Sequence, residues 1–400
     1  MNVATAGFDQ APLPDLGNAP IPARAYYDPE WFEAERQAVF LRTWFPAAHV
    51  CEVPESGSFI RREFEFARAS LLIVRGKDDV VRAFHNVCPH RGTQLTGDTC
   101  GKRANFSCKY HMWTFGTDGR LLSAPDFERF GLSKEQAGLT QVSCEVHGGL
   151  IFVNFDKQPR QSLVEFLGPL AQGMTEVPCA YATTFSEYVY EIDANWKLTY
   201  DNFQENYHLR FIHPNSGKAT FDPSNPFGYP VAMELHDPHR TQTIWTNPNS
   251  ASQMTPAQMI GFGMGARAVM RGDVPDNPSN RTYFAVFPSF FMLGASGNNF
   301  SHTVYPIGPE KSRGVIRLYW INDDQTAGAR YAREYAMATT RDIHSEDISV
   351  IEAGQRGLSS GALEHIHFQE QEVLCRHLFM EVEKAVRGWE AEQGRTPVRL

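Results

Sequence analysis

The 400-residue chain lacks the features that would place it in a membrane or on nucleic acid. It has no uninterrupted apolar run of about 18 residues, so no segment is expected to cross a bilayer as a helix. Met1–Pro20 has neither the basic start nor the apolar core of a secretory signal. Cationic side chains are in the minority, 37 Lys and Arg against 46 Asp and Glu, for a formal charge of −9 with no basic stripe. That balance argues against a nucleic-acid partner. No Gly-x-Gly-x-x-Gly follows a strand pattern, so the chain is not expected to draw electrons from NAD(P)H by itself. Internal repeats are absent too. Cysteine is scarce and odd in number at 7. Cys51, Cys100, Cys144, Cys179 and Cys375 read as free thiols, which suits a reducing cytoplasm. With 42% hydrophobic and 21% charged residues, the composition is that of a soluble globular enzyme with a large core.

The other two cysteines carry the first chemical signal. Cys88-Pro89-His90 is followed, after 17 intervening residues, by Cys108-Lys109-Tyr110-His111. A [2Fe–2S] cluster with two thiolates on one iron and two imidazoles on the other needs one Cys and one His from each loop. A structural Cys2His2 zinc site is the plainer alternative, but zinc motifs usually group Cys with Cys and His with His. The mixed loops therefore favour the Rieske-type cluster. Trp113 and Phe115 follow the second loop, where they either shield the cluster or simply fill the core. Between Cys88 and Arg120 the basic residues Arg91, Lys102, Arg103, Lys109 and Arg120 outnumber Asp98 and Asp118, so a basic rim could steer an acidic redox partner.

A second cluster lies at residues 195–214. His208 and His213 are five residues apart, and Pro214 favours a helix ending near the second. Mononuclear Fe(II) of the oxygen-activating kind needs two His and one carboxylate on one face, with positions left open. A lone His-x4-His pair is weak evidence, since such pairs are more often ordinary surface residues. Beside a Rieske-type cluster it becomes strong.

Together these segments resemble the Rieske non-haem iron oxygenases, specifically the catalytic α subunits of the ring-hydroxylating dioxygenase and demethylase family. The resemblance rests on Asn86-Val87-Cys88-Pro89-His90-Arg91-Gly92, Cys108 to Phe115, Asn195-Trp196-Lys197, Glu205-Asn206-Tyr207-His208 through His213-Pro214, and Glu346-Asp347 with Gln355-Arg356-Gly357. It implies a cluster held by Cys88, His90, Cys108 and His111, and Fe(2+) held by His208, His213 and a distant acid. Dioxygen would be the co-substrate, and NAD(P)H would act only through a separate reductase, with or without a ferredoxin. The activity implied is that of a terminal oxygenase hydroxylating an aromatic compound; the alternative is a monooxygenase or demethylase of a quaternary amine or aryl ether. A homotrimer is implied, with or without a β subunit.

The third iron ligand must be chosen among Asp342, Glu346, Asp347 and Glu352. At helical spacing Asp347 shares a face with Ile343, Val350 and Ile351 and so points inward, where an unpaired carboxylate is costly. Asp342, Glu346 and Ser349 fall on the solvated face. The family match also falls on Asp347. Glu205 precedes His208 by three residues and so can accept a hydrogen bond from its ring, fixing the tautomer. By resemblance, a carboxylate here bridges His208 to His111 of a neighbouring subunit and carries electrons between them; Asp201 is the runner-up for that bridge. Many relatives carry Asp at this place, while Glu occurs in others, quaternary-amine oxygenases among them. Asn202 and Tyr207 are expected near the iron. Phe203, Phe287, Phe290, Phe291 and Met292 are candidate pocket walls, and His302 and His344 could approach the pocket.

The expected fold is α+β. An N-terminal arm and helix occupy residues 1–46, with a loose arm over 1–20 and a helix over Pro29–Trp44. A small all-β Rieske domain follows over 47–158. A larger α+β catalytic domain spans 159–400, an antiparallel sheet flanked by helices, START/Bet v1-like by resemblance. Its strands are expected at Ser186–Ile192, Tyr283–Met292 and Gly314–Trp320, and its helices at Trp196–Leu209 and Ala329–Ala353. The Pro-, Gly- and Asn-rich stretch 215–280 is expected to be irregular and to cover the active site.

Overall fold

In the computed structural model, the described residues are 8–250, 255, 256, 259, 260, 282–295, 298–321 and 325–400. The chain divides into two compact units, one of residues Phe40–Phe166 and one of Met1–Val39 with Leu167–Leu400.

The smaller unit is built on an antiparallel sheet of β1 (Phe45–His49), β2 (Ser58–Phe64), β3 (Ala69–Arg75), β4 (Val81–His85), β5 (Cys100–Lys102), β9 (Gln141–His147) and β10 (Leu150–Asn154). Their spatial order is β1-β10-β9-β4-β3-β2-β5. The apolar run Leu71-Leu72-Ile73-Val74 is buried on both faces, which explains why it does not alternate and why it lies between two partners. A second, three-stranded sheet is formed by β6 (Asn105–Ser107), β7 (Thr114–Gly116) and β8 (Leu121–Ser123). One Cys-His loop leaves β4 and the other joins β6 to β7.

The larger unit carries a seven-stranded antiparallel sheet of β11 (Thr184–Ile192), β12 (Ala232–His236), β13 (His239–Thr243), β14 (Thr282–Val286), β15 (Phe290–Ala295), β16 (Asn298–Gly308) and β17 (Lys311–Trp320). The order is β11-β17-β16-β15-β14-β13-β12. Its helices include α1 (Pro29–Glu35), α2 (Leu170–Glu176), α3 (Trp196–Asp201), α4 (Leu209–Ile212), α5 (Ala327–Ser359) and α6 (Val373–Glu392). Helix α5 lies on the sheet, where Ile351 packs with Tyr190, Ile192 and Ile316. This is the expected α+β architecture.

Several local expectations need correction. The helix expected over Trp196–Leu209 stops at Asp201, because the Glu205 carboxylate accepts from the backbone N–H groups of Tyr207 and His208 and closes a turn of its own. The single strand expected at Tyr283–Met292 is two, β14 and β15, since Pro288 has no N–H to give a central ladder. The supposedly irregular stretch 215–280 contains the β12–β13 hairpin, and its residues 251–254, 257, 258 and 261–280 lie outside the described ones. Over its described residues, 8–20, the arm is tied down rather than loose: Ala11 N–H bonds to Val231, Gln10 to Gln371, and Arg376 to the Ala19 carbonyl. Helix α1 gives way to a wide turn over Arg36–Phe40 instead of running on to Trp44.

Glu35 joins α1 to α3 inside the core. Its carboxylate accepts from Lys197 Nζ at 2.5 Å and from the indoles of Trp31 (2.7 Å) and Trp196 (2.8 Å), and both charged partners are fully buried. Burial pushes the Glu35 carboxyl up and the Lys197 ammonium down, and their mutual attraction opposes both shifts. A buried pair of this kind adds little over an apolar pair, but losing one member leaves the other unpaired. Lys197→Met is therefore expected to destabilise by about 3–5 kcal/mol in denaturant unfolding. The double variant Glu35→Gln/Lys197→Met should recover much of that loss; a fully additive double variant would refute the assignment.

Candidate metal centres

The two Cys-His loops of the smaller unit repeat one backbone pattern. Cys88 N–H bonds to the Thr93 carbonyl and the Cys88 carbonyl accepts from Gly92, at 2.8 and 2.9 Å. Cys108 does the same with Trp113 and Met112, at the same distances. The equivalent positions Gly92 and Met112 both have positive φ, 77° and 56°, a turn that glycine adopts freely and methionine adopts at a cost. Both thiols are buried in the apolar core beside Phe59, Phe84, Phe106 and Phe115. Burial, with the neighbouring Cys108 thiol, raises the Cys88 thiol above its ordinary value. The two imidazoles are half-buried, with ring centroids 4.5 Å apart. Trp113 both fills the core and stacks on His90 at 5.0 Å. A paired set of inner thiols and outer imidazoles suits a cluster whose two irons take different ligands. Of the basic rim, Lys102, Arg103 and Arg120 are paired with Glu55, Asp98 and Asp118, and Arg91 lies over the Tyr110 ring. Cys100 is exposed and sits on β5 opposite Ile60.

In the larger unit, His208, His213 and Asp347 place one ligand atom each within 4.8 Å of one another. Asp347 Oδ1 lies 3.0 Å from His213 Nε2 and 3.6 Å from His208 Nε2. Neither approach has the alignment of a hydrogen bond, so this buried oxygen is left without a partner. Three converging donor atoms that do not satisfy one another are the arrangement a shared cation completes.

The far side of each ring is held by a carboxylate. His208 Nδ1 faces Glu205 Oε1, and His213 Nδ1 lies 2.6 Å from Glu346 Oε2. Glu346 also accepts from Ser216 Oγ at 2.5 Å. Each contact keeps the proton on Nδ1 and turns Nε2 toward the common point. Glu346 is thus not on a purely solvated face as expected, and nothing local could have revealed it, because 133 residues separate it from His213. Helix α5 is also rotated slightly from the expected phase: Val350 is exposed, and His344 takes its place beside Asp347 and Ile351 on the buried face.

Asp201 is buried and its Oδ2 accepts from Tyr26 O–H at 3.0 Å. Burial pushes its carboxyl up to about 7, against the opposing pull of Tyr26, Arg240 and Lys197. With Asn202 and Glu205 it lines a cleft of ≈ 200 Å³. Phe203 packs on Phe291 (5.7 Å) and His302 (4.4 Å). Tyr207 is exposed.

Comparison with known proteins matches residues 43–132 to the Rieske [2Fe-2S] domain and residues 180–388 to the ring hydroxylating alpha subunit (catalytic domain). The chain is 28% identical over 342 residues to the carnitine monooxygenase oxygenase subunit of Acinetobacter pittii, covering 84% of each. It is 35% identical over 195 residues to the 2-aminobenzenesulfonate 2,3-dioxygenase subunit alpha of an Alcaligenes species, covering 48% of each. Among solved structures it is similar to the quaternary ammonium Rieske monooxygenase CntA, with a TM-score of 0.74 at 22% identity, over 94% of this chain and 99% of that one.

Proposed function

The chain belongs to the ring-hydroxylating α-subunit family, and from that premise we propose which residues hold its metals and what it oxidises. It is the terminal oxygenase of a Rieske system, with a [2Fe-2S] cluster and Fe(2+) as cofactors. When bound, these groups supply reductive activation of dioxygen. Cys88, Cys108, His90 and His111 would hold the cluster, and His208, His213 and Asp347 the iron. Glu205 and Glu346 fix the two imidazoles from behind, and Glu205 would bridge His208 to His111 of a neighbouring subunit for electron transfer. Asn202 lines the same cleft. The observation that carries this reading is the convergence of His208, His213 and an unsatisfied, buried Asp347 oxygen.

The substrate of the leading reading is an aromatic compound, supported by the aromatic rings of Phe203, Phe291 and Phe300 packed together beside the site. The second reading is a quaternary amine. It is supported by the names of relatives such as the carnitine and glycine betaine monooxygenase oxygenase subunits. Aromatic walls serve a quaternary ammonium equally well through cation–π attraction. Electrons would come from NAD(P)H through a separate reductase, with or without a ferredoxin, to a homotrimer, with or without a β subunit. No helix among the described residues is long and apolar enough to cross a membrane. Cys51, Cys100, Cys144, Cys179 and Cys375 are free thiols, which supports a reducing cytoplasm as the place of action.

The test is a panel of aromatic compounds, aryl ethers and quaternary amines given to the iron-loaded protein with a generic reductase and NADH. A compound class that consumes oxygen in step with NADH and gains oxygen by mass, or loses a methyl group, identifies the substrate. Coupled turnover of quaternary amines alone would overturn the aromatic reading.

A further inference from the structure

Beside the iron ligands, three buried polar side chains sit among aromatic rings with no role in the reading above. They are Tyr190 on β11, His302 on β16 and His344 on α5, one helical turn before Asp347. Tyr190 Oη lies 2.7 Å from His302 Nε2. The His344 ring centroid is 3.9 Å from that of Tyr190 and 6.4 Å from that of His302, and Phe203 packs against both imidazoles. The place for the phenol is built in: Gly314, its register partner on β17, would put a Cβ within 2.0 Å of the ring.

The acidity of the two groups sets the direction of this bond. A phenol O–H is a stronger acid than a neutral imidazole N–H, so Tyr190 donates to His302 Nε2 and the His302 proton sits on Nδ1. That Nδ1–H is buried with nothing to accept it. Both nitrogens of His344 are likewise buried without a partner. Burial keeps both rings neutral at pH 7, His302 well below the ordinary histidine value and His344 down to about 4. Three unpartnered ring nitrogens in one small volume are costly unless a guest completes them.

We propose that His302 and His344, with Tyr190 fixing the His302 tautomer, form the polar end of the substrate chamber and donate hydrogen bonds to an acceptor oxygen of the substrate, a carboxylate or carbonyl remote from the carbon that is oxidised. This rests on the oxygenase reading, which places the substrate beside Asp347. A site built to bond an oxygen discriminates strongly against an analogue lacking it, because the protein groups are then left unpaired.

Two matched pairs of probes test this by anaerobic calorimetry on the iron-loaded protein: phenylacetate against toluene, and 3-trimethylammoniopropanoate against tetramethylammonium. The wild type should bind the acid of one pair at least tenfold more tightly than its partner. His302→Phe and Tyr190→Phe should each remove most of that preference; the Tyr190 variant, which keeps the ring in place, guards against a folding defect. The proposal is overturned by a wild type that favours neither acid, or by a preference that survives in both variants. Failure of the oxygenase reading would look different, as a wild-type protein that holds no mononuclear iron at all.

Discussion

Asp347→Ala is expected to give a protein that keeps the colour of its cluster and makes no product. The Asp347 oxygen is buried within 3.0 and 3.6 Å of the two ligand nitrogens, and no other carboxylate among the described residues shares that cluster. Glu205 and Glu346 cannot substitute, because each is engaged on the far nitrogen of an imidazole. Outer partners of metal ligands cost about 10–100-fold when removed, so loss of a ligand itself should cost at least about a hundredfold in turnover or iron retention. The cluster residues belong to the other compact unit and should be untouched. Cys108→Ser should do the reverse, removing the visible spectrum while His208 and His213 stay in place. Iron-loaded Asp347→Ala with wild-type turnover would show that the ligand is misassigned.

The second large effect is expected at Glu205. Glu205→Gln keeps size and most hydrogen-bonding capacity but loses the negative charge that stabilises a proton on the His208 ring. Both metals should still load and the cluster should still be reduced, yet product formation should fall by about a hundredfold or more, because the path into the iron site is broken. Glu205→Asp should be milder, since the change is one methylene. Glu346→Gln is the control: it loosens His213 in the same way but does not line the cleft that Glu205, Asn202 and Asp201 share. Rapid mixing of pre-reduced protein with oxygen separates the cases, because the cluster of Glu205→Gln should stay reduced while that of Glu346→Gln should reoxidise. A monomer of full activity, or Glu205→Gln at the wild-type rate, would remove the bridge. Asp201, buried and bonded to Tyr26, would then be the next residue to change.

What could be read in advance depended on how local the cause was. Cys88, His90, Cys108 and His111 stood out because few structures need those donor types at that spacing, and their loops do repeat one hydrogen-bond pattern. The strand at Gly314–Trp320 was legible because a run of β-branched and aromatic residues between turns has few other uses, and it is observed within Lys311–Trp320. The helix after Trp196 was overextended because side-chain capping by Glu205 is invisible to periodicity. The contact nevertheless survived: Glu205 still reaches His208, through a turn rather than along a helix face. Glu346 was assigned to solvent because its partners, His213 and Ser216, are remote in sequence. The Tyr190–His302 bond was hidden for the same reason, since only the register of β11, β17 and β16 brings those residues together.

The central claim is that one chain holds two different iron centres, and metal content tests it most directly. Protein purified without air should contain about three irons and two acid-labile sulfides per chain, with the visible bands of a Rieske cluster. Stoichiometric zinc with no sulfide would contradict the account.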